Sequence, residues 1–422
     1  EAGALAALEE EEADLAGGAG GWGDDDLDLD GDGGGKSGGA AAAAGAGGAG
    51  GGGAWGDEDL DLDLGGADGE EGLEGATAGG AGAAEEGDVF VAPTAGPSPS
   101  HVWVEASSVA ADHVAAGSFD TAVQLLHRQI GVVNFEPLWP HFQRVFTGAA
   151  AAVPGLPGAG TVPIPLLRAS AELPADGEPL TKAHAGGAAG RGSLPRVSVH
   201  LPGLVQELKA AYRAFQAGQF AEAQALFTGI VQAIPMVVVA KRQEANELRE
   251  LLGICREYLT ALRLELARRA SKDDAARTVA LSAYLTHAKL QPMHLILGLN
   301  LAMTCAFKAK NFIHAASFSR RLLEVPEVAS EKHAALRTKA KKVLQLAEKQ
   351  ARNAFTIDYD ERNPFVVCPA TLTPIYKGQP SVACPYCGAS YKPEAKDKLC
   401  VICELSQIGL ETLGLVCTTQ KR

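Results

Sequence analysis

The chain changes character near residue 88, and no single fold suits both sides of that change. Residues 1–88 hold 24 Asp and Glu against one basic residue, Lys36, a net charge of −23. The same stretch carries 29 of the 50 glycines. So acidic a segment, with so few large apolar residues, cannot offset its chain entropy by burial, and it is expected to be disordered. The remaining residues, 89–422, hold 36 basic and 27 acidic residues, net +9. The acidity of the chain therefore belongs to a tail, and the part able to fold is mildly basic.

Within the tail one pattern occurs twice. Trp22-Gly23-Asp24-Asp25-Asp26-Leu27-Asp28-Leu29-Asp30 is echoed by Trp55-Gly56-Asp57-Glu58-Asp59-Leu60-Asp61-Leu62-Asp63. A tryptophan ahead of alternating Leu and acid has the form of a short linear motif. The indole anchors in a pocket and the acids steer toward a basic surface. Low-complexity drift is the alternative, since the flanks are Gly/Ala repeats. Two weaker signals nearby are rejected. Gly33-Gly34-Gly35-Lys36-Ser37 lacks the phosphate-loop glycine at position 30, which is Asp30. Asp28-Leu29-Asp30-Gly31-Asp32-Gly33 starts like a calcium loop, but its twelfth position is Gly39 instead of Glu.

From about residue 100 the apolar period is helical. Val114…Phe119…Ala122…Leu125 returns in kind as Phe215…Phe220…Ala223…Leu226 and as Phe307…Phe312…Ala315…Phe318. Each predicts one helix ending, a two-residue turn, and a Phe opening the next helix, with Ala allowing close approach. The intervals between units are too long and uneven for a regular solenoid, so the packing is tetratricopeptide-like but irregular. Residues 237–269 read as one long helix, followed by helices at about 274–288, from Pro292 to Phe307, at 312–324 and at 330–351. His127, His287, His294 and His314 are read as packed or surface residues of helices. A Pro/Gly/Ala-rich break spans 147–196. Within it Val162-Pro163-Ile164-Pro165-Leu166-Leu167 is more apolar than a linker needs, and reads as an extended arm able to dock. Beyond residue 357 the period turns to short strands, at Phe365–Val367, Ile375–Tyr376, Leu399–Ile402 and Leu413–Val416.

Four cysteines lie in that last region, as Cys384-Pro385-Tyr386-Cys387 and Cys400-Val401-Ile402-Cys403. Two CxxC turns brought together supply four thiolates in a tetrahedron, the ligand set of structural zinc. Free thiols in a small β-rich module, disulfides and redox chemistry are the competing readings. A four-thiolate shell is closed and leaves no position for water or substrate. Cys255, Cys305, Cys368 and Cys417 read as buried small apolar residues, with Cys368 the one plausible substitute ligand. Lys392, Lys396 and Lys398 between the pairs read as a solvated loop. No nucleophile elbow, HExxH, dinucleotide or kinase signature is present, so no enzyme is indicated.

The expected fold is mainly α: irregular TPR-like helical hairpins, then a small β-rich zinc-ribbon-like module, with a disordered acidic tail in front. The expected divisions are 1–88, 89–146, 147–196, 197–356 and 357–422.

These residues also carry a family resemblance. Asn363-Pro364-Phe365-Val366-Val367-Cys368, Pro374-Ile375-Tyr376-Lys377-Gly378, the two CxxC pairs, Ile408-Gly409 and Gly414-Leu415 resemble the C-terminal end of the coatomer alpha family, most of all its plant and algal members. So do Ala116–Ala122 with Leu125–Gln129, Ala283–His287, and Phe307–Asn311 running into Arg320–Glu324. The resemblance covers about residues 88–422. It implies a structural protein of the COPI vesicle coat, in Golgi-to-ER retrograde and intra-Golgi transport, peripheral on Golgi membranes and coated vesicles. It implies the epsilon subunit as partner, its helical repeats closing around a β-hairpin of alpha. That hairpin is expected at about 146–170, around Val162, Ile164, Leu166 and Leu167, with the C-terminal module as the other place for it. Other coat subunits are then the expected targets of Trp22 and Trp55. The alternative is a zinc-dependent adaptor whose module recognises ubiquitin or nucleic acid.

Overall fold

Turns of left-handed backbone organise the helical region. A computed structural model describes Trp22, residues 98–153, 162–168 and 194–418, all within one compact unit. The rest of the acidic segment, Trp55 included, lies outside the described residues. The described helices are α1 (Pro99–Ala106), α2 (Ala110–Ala115), α3 (Phe119–Ile130), α4 (Trp139–Gly148), α5 (Leu201–Gln216), α6 (Phe220–Ala233), α7 (Arg242–Ala270), α8 (Ala275–Leu285), α9 (Pro292–Lys308), α10 (Phe312–Glu324) and α11 (Ala334–Gln350).

The three Phe-turn units are the α2–α3, α5–α6 and α9–α10 hairpins. In each, the residue two before the Phe has positive φ: Gly117 at 77°, Gly218 at 75° and Lys310 at 59°. The next amide reaches back five residues, from Ser118 to the His113 carbonyl, Gln219 to Ala214 and Asn311 to Ala306. This is a Schellman close, which satisfies carbonyls a helix end would leave bare. Lys310 makes the same turn without glycine, at about 1–2 kcal/mol of left-handed backbone strain. Ala122, Ala223 and Ala315 are fully buried where the paired helices meet.

α5, α6, α7 and α9 share an aromatic core. Phe227 stacks on Tyr258 at 4.8 Å, and Phe215 meets Tyr258 edge-on at 5.0 Å. The Tyr258 hydroxyl lies 2.7 Å from His294 Nδ1 and accepts the Gln291 amide. Burial pushes His294 down to about 4, so it sits there as neutral imidazole.

The predicted long helix starts later than its apolar pattern suggests, at Arg242. Val237 and Val239 are buried, Val237 is extended, and the Val239 amide donates to the Cys417 carbonyl. β-Branched residues suit that extended run. Glu244 then accepts the amides of Ala240 and Lys241, which fixes the helix start. His287 lies just past the end of α8 and not within a helix, in the turn after Thr286.

The strands are short and pair in antiparallel twos: β1 (Ala150–Val153) with β2 (Val162–Pro165), β3 (Phe365–Cys368) with β4 (Thr373–Tyr376), and β5 (Val382–Ala383) with β6 (Ser390–Tyr391). The strands predicted at Leu399–Ile402 and Leu413–Val416 do not form. The first is a tight turn carrying Cys400 and Cys403. The second runs irregularly, its Leu413 and Gly414 amides donating to the Arg128 and Gln129 carbonyls of α3.

Candidate metal centre and partner hairpin

Each CxxC pair folds as a turn whose following residue has positive φ, Gly388 at 70° and Glu404 at 60°. The Gly388 amide donates to the Cys384 carbonyl and the Glu404 amide to the Cys400 carbonyl. The two turns are therefore copies of one knuckle, although only the first has glycine at its bend. They face each other and bring four thiols together. Cys384 Sγ is 3.8 Å from Cys403 Sγ, and Cys387 Sγ is 3.5 Å from Cys400 Sγ. All four sulfurs lie within 4.8 Å of one another and all four residues are buried. Sulfurs at about 2.3 Å from a tetrahedral zinc would stand about 3.8 Å apart, so the donor set and spacing fit that ion. The spacing is well beyond a disulfide bond. Hydrogen bonds from Cys384, Cys387 and Cys403 push the Cys400 thiol down, while the same shared contacts push Cys387 up and burial pushes Cys403 up.

The surroundings orient the four cysteines. Tyr391 places its hydroxyl 3.1 Å from Cys400 Sγ. Arg256 of α7 donates to the Cys387 and Gly388 carbonyls at 3.3 and 3.4 Å. No sequence pattern marked either residue, since their role depends on which elements meet. Cys255, Cys305, Cys368 and Cys417 are buried but do not belong to the cluster, and Cys368 ends β3 opposite Thr373. Lys396 and Lys398 are exposed.

The knuckles are built into the helical region. The Tyr386 hydroxyl donates to the Val231 carbonyl of α6 at 2.5 Å. Val132 bridges Ser406, and the amides of Val133 and Asn134 both donate to the Leu405 carbonyl. Gly131, which ends α3 at φ 69°, faces Pro385. A Cβ there would stand 2.9 Å from the Pro385 ring, so both backbone and space call for glycine.

The second candidate site is the β1–β2 hairpin. Ala150 pairs with Pro165, Ala151 with Ile164, Ala152 with Pro163 and Val153 with Val162. Alternate prolines remove ladder donors, which only an edge tolerates. Ile164 is 47 % exposed, Leu167 52 % and Val153 40 %, while Leu166 is half-buried. The hairpin exit is tied down. The Leu166 amide donates to the Ala149 carbonyl, and Arg168 donates to the buried Asp112 carboxylate, which also accepts the Ser107 hydroxyl. An apolar ribbon is thus held outward from a fixed base.

Trp22 lies elsewhere. It is buried, and its indole packs on Phe215 and Phe220 of the α5–α6 unit. No described helix is long and apolar enough to cross a membrane.

The whole chain, residues 1–422, matches the family described as the C-terminus of the alpha subunit of coatomer (COPI). It is 41 % identical over 333 residues to coatomer subunit alpha-2 of Arabidopsis thaliana, covering 79 % of this chain and 26 % of that protein. It is 38 % identical over 346 residues to coatomer subunit alpha of Dictyostelium discoideum, at 79 % and 26 % coverage. To the Saccharomyces cerevisiae coatomer subunit alpha it is 32 % identical over 318 residues, at 74 % and 25 %. The chain spans about a quarter of the length of these relatives.

Proposed function

The chain belongs to the coatomer alpha family, as its C-terminal part, and on that premise we propose that it is the piece of the COPI coat that grips the epsilon subunit through its β1–β2 hairpin. The family is one of non-enzymatic coat proteins, and the closed four-thiolate cluster suits a structural metal and no turnover. Zinc bound by Cys384, Cys387, Cys400 and Cys403 supplies cross-linking between the two knuckles. The chain then works as a scaffold in the cytoplasm, peripheral on Golgi membranes and COPI vesicles, in Golgi-to-ER and intra-Golgi transport.

The observation that carries the partner reading is the exposure of Ile164, Leu167 and Val153 on a hairpin with a pinned base. Apolar residues presented this way on a paired ribbon suit insertion into a ring of helices. An adaptor role for the zinc module, toward ubiquitin or nucleic acid, has less support. Its first knuckle is occupied by the chain's own helices through Pro385 and Tyr386.

The test is size-exclusion chromatography of the full chain with the epsilon subunit. A stable 1:1 complex is expected, lost on Ile164→Asp with Leu167→Asp while helical circular dichroism is unchanged. Complex formation that survives both substitutions moves the contact off the hairpin. A chain that runs alone removes the epsilon role.

A further inference from the structure

Each Phe-turn unit needs a cover over its turn, and the three units obtain it differently. In α2–α3 the cover is Phe146 of α4, whose ring lies 5.6 Å from Phe119 and against Gly117. In α9–α10 it is the chain just after α11. The Phe312 amide donates to the Arg352 carbonyl, and Asn311 Oδ1 accepts the Ala354 and Phe355 amides. Both covers come from nearby in sequence. In α5–α6 the cover is Trp22, 193 residues before the carbonyl it binds.

The α5–α6 contact has the features of a binding site. The Trp22 ring meets Phe215 and Phe220 edge-on, at 5.1 Å from each. Its Nε1–H donates to the Phe215 carbonyl at 2.8 Å. That carbonyl lies in the last turn of α5 and also takes the Gly218 amide, so the indole uses its second lone pair. A buried indole with its one donor satisfied is a specific fit. Arg269, in the last turn of α7, lies over the other ring, 4.4 Å from the Phe220 centroid, next to Arg268. In sequence Trp22 is followed by Gly23 and three aspartates, while Arg268 and Arg269 both hold the buried Glu265 carboxylate, which leaves that trio one positive charge in excess.

The same word is written again at Trp55-Gly56-Asp57-Glu58-Asp59, with Leu60 and Leu62 matching Leu27 and Leu29. We propose that the cleft between Phe215 and Phe220 is an exchangeable receptor for the tryptophan–glycine–acid motif that this chain carries twice. Trp22 occupies it from within the chain, and the Trp55 motif is chemically equipped to replace it. The site fixes one point of the acidic segment to the helices and leaves one copy of the motif unspent at any time. This inference does not rest on the coat assignment.

The test uses the full chain and a fluorescent peptide spanning Ala54–Leu64. The peptide should bind the Trp22→Ala/Trp55→Ala chain saturably, at least tenfold more tightly than the wild-type chain, where a tethered competitor holds the site. Binding should weaken with salt and fall with Arg269→Gln or Phe220→Ala. Should the double variant fail to fold, the wild-type chain labelled with 5-fluorotryptophan answers the same question. Excess peptide should then shift the ¹⁹F resonance of Trp22, assigned from the Trp22→Phe chain, to its solvent value. No saturable binding to the folded double variant, or no shift of the Trp22 resonance at saturating peptide, overturns the proposal.

Discussion

The α9–α10–α11 end of the helical region and the four-cysteine module are both well packed, but for different reasons. In the first, apolar residues at helical spacing bury one another. Phe318, Leu322, Ala315, Ala302, Ala306 and Val343 are all within a few per cent of full burial. In the second, strands of two to four residues could not hold a fold alone. There the buried centre is sulfur, and the contacts outward are scattered hydrogen bonds to α3 and the turn after it, α6 and α7, with Pro385 packed on Gly131. One region is specified by a repeated pattern, the other by four clustered cysteines and the neighbours that position them.

The largest effect should follow from breaking the second region at its centre. Cys400→Ser removes the ligand whose thiolate the other three thiols favour. Structural zinc contributes on the order of 10 kcal/mol to small metal-nucleated folds. The expected outcome is loss of zinc by elemental analysis and protease cleavage within 382–409, with helical circular dichroism largely kept. Loss of all helicity would mean that the two regions fold as one.

Phe318→Ala strikes the first region, where the ring is fully buried. It should cost about 3–5 kcal/mol in urea unfolding and leave zinc content unchanged.

Next comes pH. His294 is held at about 4 against an ordinary 6.5 by burial. Its contribution is complete above pH 6.5 and is lost as pH falls toward 4, because the unfolded chain binds the proton that the folded one refuses. Between pH 6.5 and 5 the unfolding free energy should drop by up to about 1.4 kcal/mol per unit from this residue. His294→Gln should flatten that part of the slope, and an unchanged slope would remove His294 as its source.

Gly131→Ala should be smaller, about 2 kcal/mol, from left-handed strain and the Pro385 contact. It tests the seam between the regions. Exchange should rise at the Val133 amide and at the Gln407 amide, which donates to the Gly131 carbonyl, before it rises in α9 or α10, and faster exchange in α9 first would place the damage elsewhere.

The same contrast explains what was legible in the sequence. The Phe-turn units were, because a helix end, a left-handed turn and an Ala contact are all local. The four-cysteine cluster was, because CxxC fixes each pair within four residues. The apolar stretch around Val162–Leu167 forms a hairpin strand within the expected span. α7 starts later than the sequence pattern places it, because Val237–Val239 fits a helical stripe while the Val239 amide goes to the Cys417 carbonyl. Leu399–Ile402 looked like a strand because Leu399, Val401 and Ile402 are apolar, but that segment bends to present Cys400 and Cys403. Tyr391, Arg256 and the Phe215–Phe220 cleft carry no local mark. Trp22 reads from the sequence as an anchor for another coat subunit, whereas it packs on this chain's own helices, a placement that depends on a surface 193 residues away.

The most direct test of the central contrast is hydrogen exchange by mass spectrometry on the full chain, before and after a strong zinc chelator. The account predicts that protection disappears across residues 382–409 and along the Gly131–Asn134 seam, while α9, α10 and α11 stay protected. Exchange that does not change on chelation, or that rises equally in α9–α11 and the module, would contradict it.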